Sequence, residues 1–540
     1  MKRLVAMVTT AAMLAAPAAT LLAPAAALAQ SAQVENSLDE YVRVLQVQGL
    51  ATAGTFFLRP QPVATIPDSV GPWAEWLRPA PIHELGSARW TADPARLRMS
   101  GNTTVPFGYN DDAMWQGRGL NMALDGGVTL AWGHLTVTAH PTLVFAQNQA
   151  FPIAPVTWAG ASPYGYPWFQ IDLPQRFGPG SFTRLDPGQS SIAVTAHGAR
   201  LAVGTENLWW GPGIETSILM SNEAPGMPHV SLGTAHPLDI GIGTVEAQWL
   251  WGVPQSSGWY DGQDADTSRF FTGAVAAFSP RWAVFRGLTI GAARVFIRNV
   301  PPDGLNFHDY MAVVEPITKH SYALNSQAED SKDQIASFLF RWVMPASNFE
   351  MYGEWARNDH GRIPLDILLV PQHSQGYTLG LQKTHALSGN RLVALRGELT
   401  HLEQTNTAQR WPDPTYYVHH AVGRGYTQRG QVIGSWVGPG GDAETASVDV
   451  YTPRGGWGVY VQRQAHDNDA FYAQSRADTL LAPDVSLIAG ARATVFARGL
   501  EFGFDAAFSG EADRYFIKDN GVYNLHAAVT VRWRPGSPRR

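Results

Sequence analysis

From about residue 95 onward, apolar and polar positions alternate with a period of two. In residues 522–533, Tyr523, Leu525, Ala527, Val529, Val531 and Trp533 share one face, and Asn524, His526, Thr530 and Arg532 share the other. Successive strand residues point to opposite sides, so the pattern predicts strands with one apolar and one mostly polar face. Leu500, Phe502, Phe504, Ala506 and Phe508 oppose Glu501, Gly503, Asp505 and Ser509 in the same way. Phe349, Met351 and Trp355 oppose Glu350 and Glu354; Val393, Leu395 and Leu399 oppose Arg396, Glu398 and Thr400. Alternation alone fits a soluble sandwich as well as a membrane barrel. The apolar faces, however, are aromatic in strand after strand, more than a soluble core has room to bury.

The spacing of the connections points the same way. Tight turns fall near Gly133, Gly198, Gly241, Trp282, Pro345, Gly389, Gly455 and Gly499. Between them lie long loops near 107–118, 149–189, 210–228, 254–269, 299–332, 359–374, 404–443, 467–483 and 511–520. Short turns at one end and long loops at the other are the pattern of outer-membrane barrels. Eight turns and nine loops predict an all-β membrane protein, an antiparallel barrel of about eighteen strands with both termini periplasmic. That count requires residues 229–253 to form two strands around Asp239–Gly243.

The N-terminal 94 residues behave differently. Lys2 and Arg3 precede an Ala/Leu/Val run, and Ala27-Leu28-Ala29 supplies a small-x-small cleavage site. This is the arrangement of a secretory signal peptide. Leu38, Tyr41, Val42, Leu45 and Leu50 then recur at helical spacing within residues 35–58, with Gly49 as a break. The expected organisation is a signal peptide (1–29), a small periplasmic helical element and linker (30–94), the barrel (95–533) and a periplasmic tail (534–540).

Composition narrows the class. Charged residues make up 16% of the 540-residue chain, against about 25% in soluble domains. Aromatics reach 11%, with 19 Trp, so the chain is not of disordered type. There is no Cys, which excludes disulfides and thiolate metal sites. A net charge of −6 offers no basic field for nucleic acid.

Two loops carry distinctive segments. One reads Asn207-Leu208-Trp209-Trp210-Gly211-Pro212-Gly213, followed by Ser221-Asn222-Glu223-Ala224-Pro225-Gly226-Met227-Pro228. The other holds Tyr416-Tyr417-Val418-His419-His420, Gly425-Tyr426-Thr427-Gln428-Arg429-Gly430 and Gly438-Pro439-Gly440-Gly441-Asp442. Together these resemble the Wzi family of capsule-assembly outer-membrane proteins, most strongly over residues 170–445. Gln428 stands where a His is expected from that pattern, and Glu223 where the family often has Asn. The resemblance implies an eighteen-stranded barrel with a periplasmic helical bundle, closed outside by its loops. It also implies a lectin for capsular polysaccharide rather than an enzyme, embedded in outer-membrane lipid, with polysaccharide export machinery as a candidate partner.

Sugar rings lie on aromatic faces, and their hydroxyls pair with polar side chains. The candidate polysaccharide-binding residues are therefore Trp209, Trp210, Asn222, Trp411, Tyr416, Tyr417, His419, His420, Arg424, Tyr426 and Arg429. Trp209, at a strand end, is the one most suited to an interfacial girdle. The alternative for each aromatic is packing against its neighbours as a plug. No nucleophile elbow, His-Glu-x-x-His or P-loop occurs, so no catalytic residue, cofactor or metal site is expected. Glu350, Glu354, Arg396 and Glu398 could be drawn as a glycosidase-like set, but charges lining a lumen are the simpler reading. Asp261, Asp264 and Asp266 could be drawn as a calcium cluster, but a solvated acidic loop is the simpler reading. A diffusion porin or sugar channel is the rival function, since it shares all the barrel physics.

Overall fold

The computed structural model describes residues 36–51, 54–60, 71–76, 80–260, 268–314, 332–358, 369–409, 415–475 and 481–533. The signal peptide, the 534–540 tail, the acidic loop at 261–266 and Trp411 lie outside the described residues. The strands close into one antiparallel barrel. In chain order they are β1 (Ala88–Asn102), β2 (Gly119–Trp132), β3 (Leu135–Ala139 continuing as Thr142–Ala146), β4 (Phe182–Asp186 continuing as Ser191–Ala196), β5 (Ala199–Gly204) and β6 (His229–Thr234). Then follow β7 (Gly243–Gly252), β8 (Arg269–Pro280), β9 (Leu288–Asn299), β10 (Lys332–Met344), β11 (Phe349–Asn358) and β12 (Gln375–Leu387). The last six are β13 (Arg391–His401), β14 (Asp442–Thr452), β15 (Gly455–Ala465), β16 (Val485–Ala497), β17 (Leu500–Ala512) and β18 (Val522–Trp533). β18 pairs with β1 through Ala527 and Gly101, which closes the ring.

The eighteen strands agree with the alternation of turns and loops. Residues 229–253 do divide, with a turn between Asp239 and Gly243. The barrel opens earlier than expected, at Ala88 rather than residue 95. Its pairing shifts between Asp93 and Arg96, around Pro94, which has no N–H to give the ladder. A proline at a bulge hides the strand from a period-two reading.

The sense of the alternation is inverted relative to a soluble protein. On β18, Leu525 is 52% exposed while its neighbour Asn524 is 2% exposed. Trp132, Trp457, Tyr523 and Trp533 add aromatics to the exposed surface. Apolar outside and polar inside is what a lipid-facing barrel requires, because every backbone polar group is paired in the closed ladder. Among the described residues no helix is long and apolar enough to cross a membrane.

The lumen is filled. Helix α1 (Asn36–Val47) ends where Gly49 adopts φ +71°. The Leu50 amide then donates to the Leu45 carbonyl (2.8 Å), and the Gly49 amide to that of Gln46 (2.9 Å). Glycine accepts this left-handed turn without strain, and the helix ends at Val47, by the break expected at Gly49 and eleven residues short of residue 58. Tyr41 and Leu45 pack with Trp73 and Trp76 on Leu392, Ala394, Tyr451 and Phe496 of the barrel wall. The Trp73 and Trp76 indoles donate to the carbonyls of Gly455 (3.0 Å) and Pro453 (2.9 Å), at a short turn. The helical element thus sits inside the short-turn end of the barrel.

Candidate functional site

Behind α1, residues 54–60 thread up the lumen and meet the first motif. Leu58–Arg59 forms a short antiparallel ladder with Trp209–Trp210. The Arg59 guanidinium lies 4.2 Å from the Trp209 ring centroid, and the Gly211 amide donates to the Phe57 carbonyl (2.9 Å). Trp209 and Trp210 are both completely buried. Trp209 therefore does not stand in a lipid-interface girdle; its chain has already turned inward from β5. The Trp210 indole donates to Gln248 (2.8 Å) and lies against Gly273 of β8, where an added Cβ would come within 3.0 Å of the ring.

The carboxylates of the wall hold the motif loop by its backbone. Glu398 accepts from the amides of Ile214 (2.7 Å), Glu215 (3.2 Å) and Thr216 (3.0 Å), and from the Tyr352 hydroxyl (2.8 Å). Glu354 accepts from the Ile218 amide (3.0 Å). Gly213 allows this tight fold, since a Cβ there would lie 1.8 Å from the Thr216 carbonyl oxygen. Glu350 is held instead by Arg43 (3.0 Å) and Arg341 (2.8 Å). Buried carboxylates are stable when charge-assisted hydrogen bonds replace water, and here they act as clamps.

The second motif packs on the first. The Tyr417 hydroxyl donates to the Ile218 carbonyl (2.8 Å) and accepts from the Ser435 amide (2.9 Å). The Tyr426 hydroxyl donates to the Leu219 carbonyl (2.7 Å), and the two rings lie 5.6 Å apart. Tyr416 is buried and donates to the Ser374 carbonyl (3.1 Å). Trp210, Ile218, Tyr417, Tyr426 and Trp436 belong to one apolar cluster in the lumen. A Tyr417→Phe chain leaves the Ile218 carbonyl and the Ser435 amide unpaired, at about 1–3 kcal/mol. Faster hydrogen exchange at Ser435 is the expected result; unchanged exchange would remove this hydroxyl from the account.

Asn222 is buried and donates to the Asn110 carbonyl (3.1 Å). Gln428, the first departure from the family pattern, is a buried tie whose carbonyl accepts from the Gln255 amide (2.6 Å). Glu223, the second, accepts from the Asn110 amide (2.7 Å) and lines a cavity of about 210 Å³ with Tyr109 and Trp436. Burial, with Asp111 adding to it, pushes its pKa up to about 8. A folded value raised above the ordinary 4.5 means that the closed loops hold a proton the open chain releases. This contribution is complete below about pH 4.5 and is lost as the pH rises through about 8. Protease is expected to cut the wild-type loops faster at pH 9 than at pH 6, and Glu223→Gln to remove the difference. Equal pH dependence in both chains would refute the assignment.

Few sequence-selected residues reach the long-loop surface. His420 is exposed, beside the buried His419 ring at 4.5 Å. Arg429 is partly exposed but pairs with Asp186 and donates to Gln255 (2.7 Å). Arg424 is buried with its guanidinium 5.4 Å from the Tyr260 ring centroid. Beyond these, two aromatic pairs stand partly open to solvent: Trp158 with Tyr260 at 5.1 Å, and Tyr164 edge-on to Trp259 at 5.4 Å. Trp158 and Tyr164 are not among the candidates that the sequence singles out. Their signal was the aromatic content of the long 149–189 loop.

A family model described as capsule assembly protein Wzi matches residues 91–488. Among solved structures, Wzi from Escherichia coli, described as an outer-membrane protein involved in group 1 capsule assembly and a carbohydrate-binding β-barrel, has a TM-score of 0.54. It is 14% identical, over 82% of this chain and 85% of that one. OprD from Pseudomonas aeruginosa follows at TM-score 0.39 and 10% identity, over 82% of this chain and 92% of that one. No curated protein matches. With three-quarters of its length matched by the family model, the chain belongs to the Wzi family of capsule-assembly outer-membrane β-barrels.

Proposed function

We propose that this barrel binds surface or capsular polysaccharide at its long-loop face and helps attach or assemble it there, without cleaving or forming bonds. In this reading the long loops face the outside, the short turns and both termini face the periplasm, and the helical element fills the periplasmic mouth. Polysaccharide export machinery would be its periplasmic neighbour. The observation that carries the reading is the division of labour among the aromatics. Trp209, Trp210, Tyr416, Tyr417 and Tyr426 are buried inside the plug, whereas Trp158, Tyr164, Trp259 and Tyr260 stay partly exposed, with Arg424 over the Tyr260 ring. Open rings next to polar donors are what sugar rings and their hydroxyls require. A non-catalytic role is supported by the lumenal carboxylates, since Glu350, Glu354 and Glu398 are each committed to arginine or backbone donors.

The test is binding of purified cell-surface polysaccharide to the immobilised barrel. A Trp158→Ala, Trp259→Ala double variant is expected to bind about tenfold more weakly, from about 0.5–1.5 kcal/mol per ring contact. Unchanged affinity would take these rings out of the site; no binding by wild type together with a steady open channel in a planar bilayer would replace this reading with the porin.

A further inference from the structure

We propose that His466, Asp484 and Glu511 form a divalent transition-metal site, of the zinc or manganese class, at the long-loop end of β15–β17. His466 directly follows β15, Asp484 directly precedes β16, and Glu511 lies near the end of β17. One potential ligand atom from each lies within 4.8 Å of the other two. Around a tetrahedral zinc with bonds of about 2.0–2.1 Å, ligand atoms stand about 3.4 Å apart, so a small side-chain adjustment closes the set. One imidazole and two carboxylates suit zinc or manganese better than calcium, which takes six to eight oxygens.

Two further observations point to a ligand here. Asp484 is 5% exposed; its Oδ2 accepts from the Tyr515 amide (2.8 Å), but its buried Oδ1 has no hydrogen-bond donor. A buried carboxylate next to a second one is costly unless a proton or a cation lies between them; burial and Glu511 push Asp484 up to about 8, so a proton holds the place that the ion would take. Arg514 comes within 3.5 Å of Glu511 and its charge also reaches Asp484, while another of its nitrogens is directed to the Tyr515 hydroxyl (3.0 Å). The site also has an approach. His466, Ser486 and Glu511 line the cavity of about 210 Å³ that Glu223 shares, so ligands from solvent can complete the coordination. The Ser486 hydroxyl, 2.8 Å from His466 Nε2, orients the ring as outer partners of metal ligands do.

A second group of this kind, His401, Glu403 and Asp442, makes the contrast. There Arg463 donates to Asp442 (2.9 Å) and to Glu444 (3.1 Å), and Asn468 donates to Glu403. Both carboxylates of that group already take a side-chain donor from the chain itself. The His466 site instead joins both ends of the β15–β16 loop to the end of β17, so a bound ion would brace the wall of the cavity.

The experiment uses the full-length barrel, purified in detergent without a histidine tag and stripped with chelator. Zinc and manganese are titrated by calorimetry, with calcium as the control, and thermal unfolding is followed in parallel. The expected result is one saturable zinc or manganese site per chain that raises the unfolding temperature. Binding is expected to weaken at least tenfold in Asp484→Asn and also in Glu511→Gln and His466→Gln. The three variants are read separately, each after its heat-modifiable gel shift confirms a folded barrel. No saturable site in the wild-type chain, or equal affinity in all folded variants, would overturn the proposal.

Discussion

A Glu350→Ala chain is expected to release the N-terminal helix from the lumen. Glu350 on β11 is fully buried between Arg43 of α1 and Arg341 of β10. Arg43 also donates to the Pro212 carbonyl (2.5 Å), so the same guanidinium ties the helix to the motif loop. Removing the carboxylate leaves two buried guanidinium groups facing each other with no counter-charge. Breaking a buried pair in this way costs about 3–5 kcal/mol, far more than losing an exposed bridge. The barrel ladder does not depend on this group, and its heat-modifiable migration is expected to persist. Trypsin is expected to cut after Arg43 at least tenfold faster than in wild type. Equal protection in the two chains would mean that the helix is held without this carboxylate, by Glu40 with Arg396 and Arg492 and by its apolar packing.

Trp210→Ala is expected to open the plug. The indole is completely buried between Gly273 on the wall and the apolar cluster around Ile218 and Tyr426. Its loss removes the hydrogen bond to Gln248 and leaves a cavity, at about 3–5 kcal/mol for a Trp→Ala change. The plug has fewer backbone ladders than the wall, so the loss falls on the loops and not on the strands. In a planar bilayer the variant is expected to show frequent conducting events where the wild-type barrel is closed. Indistinguishable traces would show that the loops close the lumen without this side chain.

The barrel was legible because its two signals are local. A period of two and alternating connection lengths need no knowledge of what lies across the lumen, and together they predict eighteen strands. What fills the lumen was not legible, because it depends on contacts between distant residues. Glu398 binds the amides of Ile214 and Thr216, 184 and 182 residues away, and in sequence it differs in nothing from a catalytic carboxylate. The motif aromatics illustrate the same limit. Trp210, Tyr417 and Tyr426 were chosen for sugar stacking because loops are commonly exposed, yet each completes a buried core. Their alternative role as a plug was in view from composition alone, but only the fold decides between the two. Trp209 failed as a girdle residue because the chain turns inward immediately after β5, drawn by Arg59 from a segment 150 residues earlier. Pro94 concealed the start of β1 for a simpler reason, since it interrupts the ladder that the alternation presupposes.

The most direct measurement of the central claim compares cell-bound with released polysaccharide in a strain lacking this chain. Complementation would use the wild-type gene and the Trp158→Ala, Trp259→Ala variant, with both barrels checked for equal amounts in the outer membrane. The account predicts that deletion moves polymer to the medium, that wild type restores retention, and that the variant restores little of it. Unchanged retention in the deletion strain, with a fall in small-sugar uptake, would contradict it.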